Sequence, residues 1–198
     1  MATKRLSTKR LLSIVERRRV ARASELYELG AHPDQLSRAV HQGLLAKFGR
    51  GVYTRKDFPL DFEHLIVLAC TRIPKGVVCL KSSLAWHGMH ATDSAHIWMA
   101  VDRKAKKPVG NGQKLRLVRF SGEALTQGVV NTRIDGVAVR IYSVAKTIAD
   151  CLKYRKKMGR KFAAEILQQA IARNKCSEQR LRHFAKICRV GKLVQAAL

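Results

Sequence analysis

Apolar residues in the first sixty positions recur at helical spacing in three short stretches. Ser7 precedes the first stretch and predicts a helix that it caps, with an inner face formed by Leu11, Ile14 and Val15. A second helix is predicted over residues 24–29, because Gly30 is a good residue to follow a helix end. A third is predicted over residues 33–42, with a proline in its first turn and Gly43 after its end.

The pattern changes after Gly43. Residues 44–48 and 52–55 are two short β-forming runs around a Gly-Arg-Gly turn, which predicts a hairpin. Three helices followed by a hairpin are the order of a winged helix-turn-helix, so we expect a DNA-binding domain over residues 1–58.

The third predicted helix supplies the candidate base-reading residues. If its inner face is formed by Leu36, Ala39 and Val40, its polar side chains point outward, and an exposed helix of this length fits the major groove of DNA. The basic side chains of the hairpin then lie against phosphate or the minor groove. The candidate DNA-binding residues are Gln35, Ser37, Arg38, His41, Lys47, Arg50 and Arg55. The alternative is a winged-helix fold that contacts protein, in which these side chains are only solvated.

Residues 59–198 carry a second pattern, in which helices and strands alternate. Strands are predicted over residues 96–102 and 114–120, and residues 130–142 form a hairpin because Asp135-Gly136 favours a type I′ turn. Helices are predicted over 62–72 and 81–88, the latter capped by a serine, and in three stretches from Ser143 onward. The predicted fold class is therefore α+β: a winged helix, then a domain with a mixed or antiparallel sheet and a helical C-terminal part.

The net charge indicates the class of partner, and the cysteine content indicates the compartment. The 198 residues contain 39 Lys and Arg against 14 Asp and Glu, a formal net charge of +25. Such an excess repels itself unless a polyanion is bound, so nucleic acid is the expected partner. The five cysteines, an odd number, favour reduced thiols in the cytoplasm, and the sequence has no pattern of a signal peptide or a membrane span.

Few residues suggest catalysis. The carboxylates lack the spacing of a metal-dependent nuclease, and no glycine-rich phosphate-binding loop is present. Cys79, His87, His90 and His96 lack the Cys-x-x-Cys pair that anchors ordinary zinc sites. We therefore expect no enzymatic activity, no cofactor and no metal.

Three segments in a fixed order carry a resemblance to a known family. They are RGVY at residues 50–53, SSLAWHG at 82–88 and YSVAKTIAD at 142–150. In this order the chain resembles the AbiEi antitoxins of bacterial type IV toxin–antitoxin systems, first met in phage abortive infection, over residues 7–190. The resemblance implies a winged helix that binds inverted repeats in its own promoter, and a C-terminal domain that counteracts a nucleotidyltransferase-like toxin.

The resemblance also marks motif residues in the second domain. They are Ser83, Ser143, Lys146, Thr147 and Asp150. A purely structural role is the favoured interpretation: Ser143 would cap a helix, and Lys146 would pair with Asp150 one turn later. The high positive charge of this domain departs from the family and leaves open whether it meets a toxin, DNA or both.

The expected function is thus a cytoplasmic DNA-binding antitoxin that represses its own operon and counteracts a cognate toxin, with direct contact between the two left open. It would be a monomer or weak dimer that binds cooperatively to double-stranded DNA. The first alternative is a stand-alone winged-helix regulator whose second domain serves dimerisation or sensing. A DNA nuclease and an RNA or ribosome binder are further alternatives.

Overall fold

The computed structural model describes residues 6–47, 51–57, 61–91, 96–106 and 114–197. Within these ranges the chain forms eleven helices and two β-sheets, so the predicted α+β class is confirmed. We call residues 6–57 the N-terminal unit and residues 61–197 the second unit. The predicted domain boundary at residue 58 stays a prediction.

The N-terminal unit contains three helices and one small sheet. In chain order its elements are α1 (Thr8–Arg18), β1 (Ala21–Arg22), α2 (Ala23–Glu28), α3 (Pro33–His41), β2 (Leu45–Lys47) and β3 (Val52–Arg55). The strands lie antiparallel in the order β1-β3-β2. The three predicted helices and the paired strands of the hairpin are present, whereas β1 was missed because two residues are too short to show alternation.

The core of this unit follows the predicted inner faces. Leu11 and Val15 of α1, Leu26 of α2 and Leu36 of α3 are buried together. Ser7 caps α1, since its Oγ accepts a hydrogen bond from the Arg10 N–H at 3.3 Å.

The second unit is built on a five-stranded mixed sheet with the order β6-β5-β4-β8-β7. Its strands are β4 (Val77–Val78), β5 (His96–Asp102), β6 (Lys114–Phe120), β7 (Val129–Ile134) and β8 (Val137–Tyr142). Its helices are α4 (Phe62–Arg72), α5 (Leu80–Trp86), α6 (Glu123–Thr126), α7 (Val144–Lys153), α8 (Arg155–Met158), α9 (Arg160–Ala172), α10 (Glu178–Cys188) and α11 (Gly191–Gln195).

Helices cover both faces of this sheet. Ile97 and Met99 of β5 face the side on which α4 packs, and Trp98 and Ala100 face the side of α5, α7, α9 and α10. β5 is therefore buried on both faces, which explains why it is almost entirely apolar.

Local signals predicted the turn between β7 and β8 correctly. Asp135 and Gly136 both have positive φ, 49° and 76°, as a type I′ turn requires. The predicted serine cap of α5 is wrong: the helix begins at Leu80 after Cys79, and Ser82 lies inside it. The Ser82 Oγ instead accepts the Trp98 N–H at 3.0 Å and ties α5 to β5.

The two units share an apolar contact. Val20 and Val52 of the N-terminal unit pack in the same cluster as α4 and one face of the sheet. A polar contact lies beside it, where the Thr54 Oγ1 donates to the Arg19 carbonyl at 2.7 Å and lies 3.5 Å from His64 Nε2 of α4. In the part of the chain that the structure describes, no helix combines the length and apolarity needed to cross a membrane.

Candidate functional site

The exposed face of α3 holds three of the predicted DNA-binding residues. Pro33 opens the helix, and the His32 Nδ1 accepts the Asp34 N–H at 3.3 Å, so the first turn is fixed. Leu36 and Ala39 anchor the opposite face in the core. Ser37, Arg38 and His41 are exposed, as predicted.

Gln35 does not belong to this face, and the prediction that it points outward is wrong. Its side chain is only 7% exposed, and its Nε2 donates to the Leu6 carbonyl at 2.8 Å. The segment before α1 passes over α3 at this point and covers the amide. Gln35 therefore holds the start of the chain against α3 and is not available to a base edge.

The hairpin separates its basic residues. Lys47 is exposed at the turn end of β2, opposite Tyr53, whereas Arg55 is half-buried at the far end of β3, opposite Leu45. Arg50 lies outside the described residues. Lys47 therefore lies beside the turn of the hairpin, and Arg55 lies at its other end.

A second candidate site is the set of motif residues around the corner between β8 and α7. The Ser83 Oγ donates to the Tyr142 carbonyl at 2.9 Å and lies 2.8 Å from the Thr147 Oγ1. The Thr147 Oγ1 is within 3.4 Å of the same carbonyl, and the His87 Nε2 lies 2.8 Å from it. Side chains from α5, from its C-cap residue and from α7 thus converge on one backbone oxygen, and they brace the corner.

Lys146 and Asp150 form the predicted pair, one turn apart on α7, at 2.5 Å. Both side chains are fully buried, and the Lys146 Nζ also lies 4.1 Å from the centroid of the Tyr142 ring. The second oxygen of Asp150 accepts the Cys188 thiol of α10 at 3.2 Å. The cluster therefore links α7, α10 and β8 inside the core.

Burial governs the protonation of this cluster. It raises the pKa of the Asp150 carboxyl, and Lys146 beside it acts in the opposite direction. Burial also raises the pKa of the Cys188 thiol to about 12, with the Asp150 charge adding to it, so this thiol is neutral and unreactive at physiological pH. These are properties of a structural network.

Gly128 belongs to the same network. Its φ is +76°, and a Cβ at this position would lie 2.7 Å from the Lys146 Cβ and 2.9 Å from the Phe184 ring. Only glycine allows the chain to pass so close to α7.

Ser143 occupies the N-cap position of α7 as predicted, but its side chain makes no capping hydrogen bond. Within the described ranges its buried Oγ has no hydrogen-bond partner at all. The predicted capping role of its hydroxyl is therefore wrong.

Sequence reasoning missed three members of this site. His87, the C-cap of α5, follows Ser83 by four residues, so helical spacing alone was a usable signal. Tyr142 contributes a backbone carbonyl, and Cys188 lies 38 residues from Asp150, so neither leaves a local signal.

The described residues do not bring metal-ligating side chains together. Within those ranges no group of three or more His, Cys, Asp or Glu side chains is arranged to hold a metal ion. All five cysteines are free thiols.

Comparison with known proteins gives a likeness in fold. No protein-family model matches the sequence, and no curated protein matches it either. A solved structure of similar fold is the crystal structure of RV2827C protein from Mycobacterium tuberculosis, with a TM-score of 0.66 and 16% sequence identity. The similarity covers 96% of this chain and 76% of that chain. At this identity the likeness concerns the fold alone.

Proposed function

We propose that the protein binds double-stranded DNA through α3, and that its N-terminal unit is a winged helix-turn-helix. The order helix, strand, helix, helix, strand, strand and the sheet order β1-β3-β2 support this interpretation. The observation that carries the proposal is the division of α3, which buries Leu36 and Ala39 and leaves Ser37, Arg38 and His41 in solvent.

The three exposed side chains suit base edges. Arginine recognises guanine through two parallel hydrogen bonds, and serine and histidine supply further donors and acceptors. In this proposal Lys47 and Arg50 contact the phosphates beside the wing, and Arg55 supports the base of the hairpin. The net charge of +25 adds a sequence-independent attraction.

We further propose, from the resemblance to AbiEi antitoxins, that the DNA-binding activity represses the protein's own operon in the cytoplasm and that the second unit counteracts a cognate nucleotidyltransferase-like toxin. Binding to inverted repeats would be cooperative, by a monomer or weak dimer. The motif residues Ser83, Lys146, Thr147 and Asp150 then act by shaping the second unit, because all four are buried and bonded to one another or to the backbone.

A stand-alone regulator with a sensing second unit is the second candidate. One observation favours it: a cleft between the two units is lined by Arg22, whose guanidinium has no ion pair among the described residues.

The test of DNA recognition uses the full chain and the DNA upstream of its reading frame. Fluorescence anisotropy at constant salt compares this DNA with a scrambled duplex of the same length. Arg38→Ala should reduce the preference for the upstream DNA by about 1–3 kcal/mol and retain non-specific binding. Arg173→Ala, which removes an exposed arginine at the end of α9, should leave the preference unchanged.

Gln35→Ala is the internal control within α3. Because Gln35 is buried against Leu6, this change should lower stability and leave the preference of the folded protein intact. Equal preference in the wild type and Arg38→Ala would contradict the assignment of α3 as the recognition helix.

A further inference from the structure

A cleft of about 500 Å³ separates the two units on one side of the molecule. One wall is formed by the end of α1, β1 and the start of α2, and includes Arg18, Val20 and Arg22. The other wall is formed by the C-terminal part of α4 and the turn between β7 and β8. Clefts of this size between structural units are common binding sites for small molecules.

Four charged side chains line the cleft, Arg18, Arg22, Glu25 and Asp135, and three of them have an ion-pair partner. The Glu25 carboxylate accepts hydrogen bonds from the Arg18 guanidinium at 3.1 Å and from the Arg22 N–H at 3.4 Å. The Asp135 carboxylate pairs with Arg19 at 3.2 Å. The Arg22 guanidinium, in contrast, has no ion pair and no hydrogen bond to any residue that the structure describes. Arg22 is therefore the one charged side chain of the lining that no described residue pairs.

The remaining surface of the cleft is apolar in several places. Val20 lies on one wall, and Pro74 and Val137 lie on the other. A ligand that matches the unpaired Arg22 has one negative charge and an apolar body. A phosphate dianion fits less well, because the second charge would meet only cations that are already paired.

We propose that this cleft binds a small organic carboxylate. The carboxylate accepts two parallel hydrogen bonds from the Arg22 guanidinium, and its apolar body packs between Val20 and Val137. This assignment stands independently of DNA binding.

A regulatory consequence rests on the proposed function. Since the walls of the cleft belong to different units, a ligand that contacts both favours one relative arrangement of α3 and the second unit. The affinity for DNA would then depend on the ligand.

The test is an NMR titration of the isotope-labelled full chain with sodium acetate, hexanoate and benzoate, with ionic strength held constant by sodium chloride. At least one of the two larger carboxylates should produce saturable shifts confined to residues of the cleft. The affinity of the corresponding neutral amide should be lower by about tenfold or more, because the amide lacks the charge-assisted hydrogen bonds. Acetate should bind more weakly than its larger homologues, because it has almost no apolar body.

Arg22→Met keeps most of the apolar stem and removes the charge, and should reduce the affinity by about tenfold or more. Arg173→Met is the matched control and should leave it unchanged. The proposal is overturned if none of the three carboxylates gives a saturable shift, if the amide binds as well as the acid, or if shifts spread over the basic surface. The amide comparison decides the matter in the wild type even if Arg22→Met does not fold. Failure of DNA binding in the anisotropy assay would leave this result untouched.

Discussion

Arg19, just after α1, lies 3.2 Å from Asp135 in the turn between β7 and β8, so an ion pair joins the two units. The same guanidinium lies 3.9 Å from Asp61, the N-cap of α4. The Arg19 backbone has a φ of 58°, which is unusual for a residue with a Cβ, and its carbonyl accepts the Thr54 hydroxyl. Side chain and backbone of one residue thus hold the end of α1 against both units.

The Asp135 contact can be tested with two substitutions that differ in one respect. Asp135→Asn removes the charge but tolerates the positive φ, so it should cost at most about 1 kcal/mol of unfolding free energy, because the pair is partly exposed. Asp135→Ala also brings backbone strain and should cost about 1 kcal/mol more. Urea unfolding measures both. Equal losses in the two variants would show that the turn conformation is not strained by alanine.

His64 should make the protein less stable in acid. Burial lowers the pKa of its imidazole below 6.5, and Arg19 acts in the same direction, whereas Asp61 and Asp135 act against it. Because the unfolded chain takes up a proton near pH 6.5 and the folded chain only at lower pH, the unfolding free energy should fall as the pH drops below about 6.5. The fall should end once the pH passes the folded pKa.

The variant His64→Gln isolates this effect. Its loss of stability between pH 7 and pH 5 should be smaller than that of the wild type, whereas replacing the exposed His183 should leave the loss unchanged. A pH dependence that is the same in His64→Gln and the wild type would refute a contribution from His64.

Removing one partner of the buried pair of Lys146 and Asp150 should destabilise the protein strongly, whereas replacing both partners with apolar residues should destabilise it much less. Asp150→Ala leaves an unpaired lysine in the core and should cost about 3–5 kcal/mol of unfolding free energy. The double variant Lys146→Met with Asp150→Leu should lose clearly less unfolding free energy than the sum of the losses in the single variants Lys146→Met and Asp150→Leu. The exposed pair of Glu178 and Arg182 has the same spacing and is the matched control. Breaking it should reduce the unfolding free energy by about 0.5 kcal/mol or less. Additive losses at the buried pair would argue against this account.

If the proposed DNA contact is correct, the hairpin of β2 and β3 should contribute affinity without sequence preference. Lys47→Ala should weaken the binding of every duplex alike and reduce the slope of log K against log salt by about 0.9, as expected for one lost phosphate contact. Lys47→Ala with Arg50→Ala should reduce it by about two units or less. Lys175→Ala removes an exposed lysine of the second unit and should leave the slope unchanged. An unaltered slope in the double variant would exclude the hairpin from the DNA contact.

Sequence reasoning succeeded where the determining interactions are local. The Ser7 cap, the inner face of α3 and the Asp135-Gly136 turn each depend on residues within a few positions. It failed where distant segments decide the outcome. Gln35 occupies a position on α3 that solvent would reach if Leu6, 29 residues away, did not cover it.

The candidate site in the second unit shows the same limit. The spacing of Lys146 and Asp150 predicted their pairing, because both lie on one helix. Their burial follows from the packing of α10 and Gly128 against α7, which no local pattern encodes. The short strands β1 and β4 were missed for a related reason, since two residues become a strand only through the neighbours that pair with them.

The division of labour between the units can be tested by growth rescue with the full chain. Separate fragments are unsuited to this test, because Val20 and Val52 pack against α4 and separation would expose that apolar contact.

If the proposed antitoxin activity belongs to the second unit, a chain with Arg38→Ala and Lys47→Ala should still protect cells that express a neighbouring nucleotidyltransferase-like toxin from an inducible promoter. The same chain should fail to repress a reporter placed behind its own upstream DNA, because both changes lie on the proposed DNA-binding surface. Arg173→Ala should retain both activities, and a blot should show equal amounts of all three proteins. Loss of protection together with loss of repression would refute the division and indicate that the protein protects through DNA binding.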